Sequence, residues 1–565
     1  ADIAPAICGW VGELGSAEAA VAREHERPPL WAPLEDRSAD DSIAIVEMGP
    51  DGPNAAVTFA ELDADVRLVA AGLVEFGVEK GDRVALLVPP GIDIAVCLYA
   101  CWRIGAIVVV ADAGLGLRGM GHALKSANPK YIIGIPRALA AARAMRWPGI
   151  RISTSRVSAR RARILDPQAT LDDLRDLGTG RPAPPAPGPM DAAAIGFTSG
   201  ATGPAKGVAY RHHQLQAQRD ALVDLYGIDA ADRLVAAFGP FALYGPAMGI
   251  TSVVPDMEVT SPGSLTASAL AAATRAIDAT LLFASPAALR NVVATSGDLS
   301  EDGTSALGSI RLLMSAGAPV PAVVLRAAHE LLPGAEPHTP YGMTEVLPVS
   351  DITLAEIEAA GLGDGVCVGL PLPGVEVAID PLARDSEGTS TLSTEPGVVG
   401  EVCIRAPHMR DGYDKLWMTQ HVASQPAGWH RSGDVGHLDE DGRLWIGGRM
   451  GHIVTTPGGP VTPVGIEHEV ASCDGILAAA VVGVGPPGTQ HVVVVVTPRP
   501  RPKRAGLADE ALADEVRTHV PSTDVAAVLV APELPVDKRH NSKIDRTRIA
   551  RWAERVLAGG RIGHI

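Results

Sequence analysis

Between Thr58 and about Ile135 the apolar pattern alternates between helical and extended periods, and no other feature of the sequence limits the available folds as much. A helix rich in Ala and Leu is predicted over 60–76, a strand over Arg83–Val88, a helix over 92–103, a strand over Ala106–Val110, a further helix, and a strand over Tyr131–Ile135. Alternation of this kind implies βαβ units and a mostly parallel sheet. The Pro-rich run Arg181–Pro189 reads as a stiff surface connection, after which strand and helix patterns resume through about 350. Beyond 360 the segments shorten, and Gly and Pro punctuate β-rich runs such as Val398–Ile404 and Arg443–Ile446. A last segment, about 452–565, holds strands over Ala478–Val484 and His491–Thr497, an amphipathic helix and a basic tail, and reads as a small α+β domain.

The 565 residues exceed what one compact core supports, so two or more domains are expected. Hydrophobic residues make up 47% and aromatics only 4%, so Ala, Val and Leu must fill most of the interior. A formal net charge of −17 opposes an electrostatic grip on nucleic acid or an anionic membrane face, so anionic ligands must find locally positive pockets. The six cysteines form no CxxC pair and read as reduced thiols of a cytoplasmic protein. Glu13, Glu18, Glu24 and Glu26 argue against a secretory signal. The most apolar region, about 84–111, is broken by Pro89, Pro90, Asp93 and Arg103 before it reaches the roughly 20 residues of a membrane span.

The strongest chemical signal is Thr198-Ser-Gly-Ala-Thr-Gly-Pro-Ala-Lys-Gly207, which follows the apolar run Ala192–Phe197. A strand running into this loop would present backbone N–H groups without side-chain obstruction, with Gly200, Gly203 and Gly207 permitting close approach. Hydroxyls on Thr198, Ser199 and Thr202 and the compact charge of Lys206 suit a polyphosphate. The Walker pattern fails here, because Ala205 precedes Lys206 and Gly207 follows it. A literal GxGxxG, Gly114–Gly119, lacks the acidic residue that would hold a ribose and reads as a glycine-rich connection.

Four further segments follow in order: Tyr341-Gly-Met-Thr-Glu345, Trp429-His-Arg-Ser-Gly-Asp434, Gly447-Gly-Arg449 and Asn541-Ser-Lys543. With the glycine loop they resemble the AMP-forming adenylating superfamily of acyl-CoA synthetases, luciferases and peptide-synthetase adenylation domains, over roughly residues 40–550. The resemblance implies an α/β fold with a large N-terminal domain, 1–449, of αβα-layered parallel-rich sheets plus a β-rich subdomain, and a small mobile α+β lid, 450–565. It implies ATP and Mg2+, with Glu345 as the metal-binding carboxylate and Thr344 on a phosphate oxygen. Asp434 and Arg449 would hold the ribose, Tyr341 and Gly342 belong to the same nucleotide site, and Gly317, Ala318 and Pro319 would flank the adenine. Lys206 and Lys543 would neutralise charge during adenylation, Lys543 arriving from the mobile domain.

Local runs narrow the resemblance to the β-lactone synthetases of bacterial olefin and β-lactone pathways: Pro204–His212, Phe238–Pro246, Tyr341–Ser350 and Val536–Ile544. That branch implies a 2-alkyl-3-hydroxy fatty acid, activated by ATP and closed on itself. Phe238, Phe241, Tyr244, Met248 and Met343 are candidates for the alkyl pocket, with core packing an equal alternative. His212, near the glycine loop in sequence, could orient that loop or accept the hydroxyl proton. The resemblance also suggests thiolase, reductase and β-lactone decarboxylase partners. Departures from the family pattern occur at Ala201, at Gly451 where an aspartate is usual at the hinge, and at Thr455 where a lysine is common, and they put the thioester-forming orientation in doubt. A fatty acyl-CoA synthetase or acyl-AMP ligase, and an inactive nucleotide-binding scaffold, stay open as alternatives.

Overall fold

The computed structural model describes residues 27–111, 113–197, 205–237, 244–258, 261–317, 320–361, 363–382, 391–535, 544–560, 562, 563 and 565. The alternating region folds as expected, with boundaries moved by one or two residues: helix Phe59–Glu75, strand Arg83–Leu87, helix Ile92–Arg103, strand Ile107–Ala111, helix Gly116–Ala127 and strand Tyr131–Gly134. Thr58 starts the first of these helices with a capping box, its hydroxyl accepting from the Glu61 N–H while the Glu61 carboxylate takes the Thr58 N–H.

These strands are the centre of an eight-stranded sheet. From Ala192–Phe197 through Ile107–Ala111, Arg83–Leu87, Tyr131–Gly134, Ile150–Ser153 and Ala169–Thr170 the pairing is parallel. At the other edge Gly207–Arg211 and then Gly412–Tyr413 add antiparallel strands. Helices cover both faces, as parallel strands require: Phe59–Glu75 and Ile92–Arg103 lie over one core, and Gly116–Ala127 and Pro136–Ala144 lie over another that holds Leu124, Ile132, Leu139 and Phe197. A second, seven-stranded sheet is parallel except where Ile43–Gly49 meets Gly52–Thr58. The β-rich region is an antiparallel five-stranded sheet in the order Val366–Cys367, Leu444–Arg449, His430–Leu438, Gly400–Arg405 and Glu376–Pro381.

Past Arg449, among the described residues, no strand joins an earlier sheet. Ile476–Val484, His491–Pro498, Val525–Val530 and Gly506–Leu507 form their own sheet. The run Val492–Val496 sends alternate valines into two cores. Val492, Val494 and Val496 pack with Val470 and Val516, and Val493 and Val495 with Trp552 of helix Arg546–Leu557. No helix among the described residues is long and apolar enough to cross a membrane.

Helices Phe59–Glu75 and Leu171–Gly178 meet through two glycines. A Cβ on Gly72 would lie 1.9 Å from the Leu174 carbonyl oxygen, and one on Gly178 would lie 2.0 Å from that of Leu68. Backbone on backbone leaves nothing to swing aside, so Gly72→Ala is expected to destabilise the protein by about 1–3 kcal/mol, read as a lowered urea midpoint at unchanged m. An unchanged midpoint would mean that the helices do not need this close approach.

Candidate active site

Glu345 occupies the tip of a hairpin, where strands Tyr341–Met343 and Val346–Asp351 are joined by the two-residue turn Thr344–Glu345. The hairpin is tight enough that a Cβ on Gly342 would fall 2.7 Å from Leu347 and 2.8 Å from the Val346 carbonyl oxygen. The turn is gripped from two sides: the Tyr210 hydroxyl donates to the Thr344 carbonyl, and the Arg410 N–H donates to that of Glu345 at 2.8 Å. The Thr344 side chain is left exposed. The Glu345 carboxylate takes the Tyr413 hydroxyl on Oε1 at 2.7 Å, and Oε2 has no hydrogen-bond partner among the described residues.

Tyr413 links this turn to the glycine loop. Its two-residue strand pairs with the strand that leaves the loop, Tyr413 opposite Val208. Arg83 fixes the pairing with two bonds to the neighbouring Asp414, at 2.7 and 2.9 Å. Two cations stand over the Tyr413 ring, with Lys206 Nζ 5.5 Å and the Arg410 guanidinium 4.2 Å from its centroid. Arg410 is 4% exposed, and its guanidinium donates to Gln420 at 2.6 Å and to His430 Nδ1 at 3.3 Å. Burial and the Arg410 charge push the His430 pKa down to about 3, so the imidazole is neutral and can accept that bond. Burial and the Glu345 charge raise the Tyr413 pKa, which keeps its hydroxyl a donor. Sequence reasoning missed Tyr413 and Arg410. Met409-Arg-Asp-Gly-Tyr413 carries no local chemical signature, and the Glu345 carboxylate that Tyr413 holds stands 68 residues away in the chain.

Asp434 and Arg449 face one another across the antiparallel pair His430–Leu438 and Leu444–Arg449. Arg449 Nε lies 2.7 Å from Asp434 Oδ1, and the Tyr341 hydroxyl donates to Oδ2 at 2.7 Å. Asp434 is 6% exposed while the Arg449 side chain is 48% exposed, so the carboxylate is fixed and its cation stands at the opening. One hairpin therefore presents Glu345 at its tip and reaches Asp434 from its first residue.

The model of the family described as AMP-binding enzyme matches residues 35–414. The chain belongs to that family. It is 35% identical over 548 residues to an olefin β-lactone synthetase of Stenotrophomonas maltophilia, covering 92% of this chain and 97% of that protein. It is also 34% identical over 543 residues to an olefin β-lactone synthetase of Xanthomonas campestris pv. campestris, covering 92% and 95%. The fold is similar to that of ATP-bound MatB from Rhodopseudomonas palustris, with TM-score 0.71 at 23% identity over 94% of this chain and 99% of that one. Membership makes this protein an AMP-forming ligase.

Several residues singled out in this AMP-binding enzyme lie outside the described residues: Thr198, Ser199, Gly200, Thr202 and Gly203 of the loop, Phe238 and Phe241, Ala318 and Pro319, and Lys543. Gly317 adopts φ +100°, a conformation for which a side chain is unsuited, just beyond strand Leu312–Met314. Tyr244 and Met248 pack with Ala316 on a core of Ile250, Phe283 and Met314, whereas Met343 packs beside a different core with Val346 and Val349. Leu225 borders both cores, and Gln218 accepts from the Tyr244 hydroxyl and donates to the Leu347 carbonyl of the hairpin that carries Met343. The expectation for His212 does not hold. Ala192 pairs with Arg211 at one end of the strand pair and Phe197 with Gly207 at the other, so His212 stands one strand length, roughly 16 Å, from the loop. It is 1% exposed, lies edge-on to Trp31, and burial lowers its pKa to about 4.

The arrangement offers a free carboxylate oxygen to a cation and an exposed lysine to an anion, both on a shared aromatic support. Tyr413→Phe keeps the ring and removes the donor to Glu345. A hydrogen bond to a charged group contributes about 1.5–3 kcal/mol, so the variant is expected to unfold at a somewhat lower temperature and, assayed well below that midpoint, to slow carboxylate-dependent pyrophosphate exchange into ATP by roughly ten- to a hundredfold. Parental exchange would mean that Glu345 acts without Tyr413.

Proposed function

We propose that this AMP-forming ligase activates a 2-alkyl-3-hydroxy fatty acid with ATP and closes it to a β-lactone, releasing pyrophosphate and then AMP. The observation that carries the adenylation step is the single hairpin joining Glu345, backed by Tyr413 and Lys206, to the Tyr341–Asp434–Arg449 cluster. The likeness to olefin β-lactone synthetases over 92% of the chain supports the lactone as product.

In this reading Asp434 accepts from the ribose hydroxyls while Arg449 closes over the same sugar. Tyr341 stays protonated and holds the carboxylate in place, since burial and the Asp434 charge both raise its pKa. Gly342 and Gly317 shape the nucleotide cleft, with Ala318 and Pro319 flanking the adenine. Thr344 and the hydroxyls of the glycine loop bind phosphate oxygens, and Lys206 stands over the Tyr413 ring beside them.

The unpartnered Oε2 of Glu345 is a hard oxygen donor, and no cluster of three or more His, Cys, Asp or Glu stands ready for a metal among the described residues. That donor set fits Mg2+, which is usually held by one or two carboxylates together with substrate phosphates, and which when bound neutralises charge on the departing pyrophosphate. Residues 450–565 are proposed to turn as a unit near Gly451 and deliver Lys543 to the α-phosphate. The acid oxygen bonds to the α-phosphorus as the bond to pyrophosphate breaks. The 3-oxygen then attacks the acyl carbon, its proton passes to solvent water, and the acyl–phosphate bond breaks to free AMP. A tethered hydroxyl can reach effective molarities of roughly 10⁵ M or more, which favours it over an external thiol. Tyr244 and Met248, with Phe238, Phe241 and Met343, would receive the alkyl arms. A cytoplasmic setting with thiolase, reductase and β-lactone decarboxylase as pathway partners accords with this chemistry.

Incubation with ATP, magnesium and a synthetic 2-alkyl-3-hydroxy acid, with and without CoA, is expected to give lactone and AMP at a rate that CoA does not change. Thioester formed faster than lactone would assign the enzyme to acyl-CoA synthesis, and absence of pyrophosphate exchange across a panel of acids would leave only a nucleotide-binding scaffold. Lys543→Ala is expected to slow adenylate formation by at least about a hundredfold while ATP affinity changes little. Exchange at the parental rate would remove Lys543 from the reaction.

A further inference from the structure

The charge of this chain is unevenly distributed. Residues 113–165 contain eleven Lys and Arg and no Asp or Glu, in a protein whose formal net charge is −17. The segment is one continuous piece of the eight-stranded sheet's edge: helix Gly116–Ala127, strand Tyr131–Gly134, helix Pro136–Ala144, strand Ile150–Ser153 and helix Ala159–Leu165. Its first two helices and Leu165 share a core on one face of the sheet, so the polar sides of this layer form a common outer surface. Arg118, Arg137, Arg146, Arg160, Arg161 and Arg163 are exposed there, and none has an acidic partner among the described residues. Other cations of the segment are neutralised, as Arg143 and Arg151 are by Asp166 and Lys130 is by Asp82.

Apolar surface lies among the unpaired cations. Ile164 is 58% exposed beside Arg161 and Arg163. A cavity of about 490 Å³ opens between the helices, floored by Ile135, Pro136, Ala140 and Leu165 and flanked by Arg137 and Arg161. We propose that this layer is a peripheral docking surface for an anionic phospholipid bilayer, with the arginines on lipid phosphates and Ile164 and the adjoining cavity taking acyl-chain carbon. Guanidinium groups match phosphate oxygens in pairs, and an apolar insert among them matches the boundary between head groups and chains. A polyanion such as RNA would use the cations and leave the isoleucine and the apolar floor without a partner. The net negative charge elsewhere does not cancel the patch, because exposed charges more than about 8 Å apart are largely screened at physiological salt. The inference is independent of which acid the enzyme activates.

Co-sedimentation of the full-length protein with vesicles tests it. Binding is expected to vesicles of phosphatidylcholine with about one-third phosphatidylglycerol, not to phosphatidylcholine alone, and is expected to weaken as salt is raised. The R160A/R161A/R163A variant is expected to lose at least about tenfold in partitioning, and Ile164→Ser several-fold, with thermal unfolding and turnover of a water-soluble acid unchanged. If the triple variant unfolds, R137A at the cavity rim serves in its place and is expected to lose about twofold or more. Equal binding to both vesicle types, or binding that these variants keep, would overturn the proposal. So would heparin binding of equal strength that Ile164→Ser leaves untouched, which would assign the surface to a polyanionic partner.

Discussion

The hydrogen bond from Tyr413 to Glu345, with that from Tyr210 to Thr344 beside it, joins two parts of the molecule that lie in different sheets and far apart in the chain. On one side stands the hairpin that carries the carboxylate. On the other stands the edge of the eight-stranded sheet, where the glycine loop returns as strand Gly207–Arg211. The bond can form only because two residues, Gly412 and Tyr413, add to that edge and because Asp414 is held by Arg83 at the start of a central parallel strand. A strand of two residues has little stability of its own. The paired guanidinium–carboxylate bonds supply what the ladder lacks, and so the hold of Tyr413 on the Glu345 carboxylate depends on an ion pair whose partners lie 331 residues apart.

Electrostatics around that bond follow from burial. Arg410 is almost fully enclosed, yet its charge is compensated by dipoles and an aromatic face, not by a paired carboxylate: Gln420, Ser424 and His430 accept from it and Tyr413 lies under it. A salt bridge with Glu345 would consume the charge that a phosphate or a cation must meet. Instead the structure leaves Glu345 with one engaged and one open oxygen and leaves Lys206 exposed. At the second cluster the roles are divided differently. Asp434 is buried and fixed by Tyr341, and Arg449 is the partner that can leave. Water re-solvates the guanidinium when it leaves, but the buried carboxylate then needs a new donor beside Tyr341, so Arg449 is displaced at low cost only by a group that donates to Asp434.

Much of the fold was legible because alternation, capping and strand length are local properties. The predicted helix over 60–76 begins at Phe59 because Thr58 and Glu61 form a reciprocal cap, and the predicted strand over His491–Thr497 is buried on both faces, as its run of valines suggests. The motif residues Tyr341, Glu345, Asp434 and Arg449 were legible too, since their spacing resembles a known family. Tyr413 and Arg410 were not, because their importance arises from a strand pairing and a cation stack that no window of sequence contains. His212 misled for the converse reason. Five residues of extended chain separate it from Lys206, a short step in sequence and a full strand length in space. The acid-free stretch 113–165 can be read in the sequence, but only the fold places its helices over a shared core on one face of the sheet.

The same geometry bears on how a lactone could close. His212 and His430, two buried histidines near the strands that frame the site, have pKa values pushed down to about 4 and about 3, and the second spends its lone pair on Arg410. A base that weak holds almost no proton at neutral pH and gives little help to a hydroxyl. His338 is poised oppositely: its Nδ1 lies 2.5 Å from Asp351, which also receives the Tyr226 hydroxyl, so its imidazole is committed to a network on the far end of the hairpin from Glu345. What the described side chains offer is stabilisation of negative charge by Lys206 and Arg449. In the proposed reaction, charges so placed would favour a step in which a good leaving group departs as an anion over one limited by proton removal. That is the demand made by an acyl adenylate whose own hydroxyl already lies within reach of its carbonyl carbon.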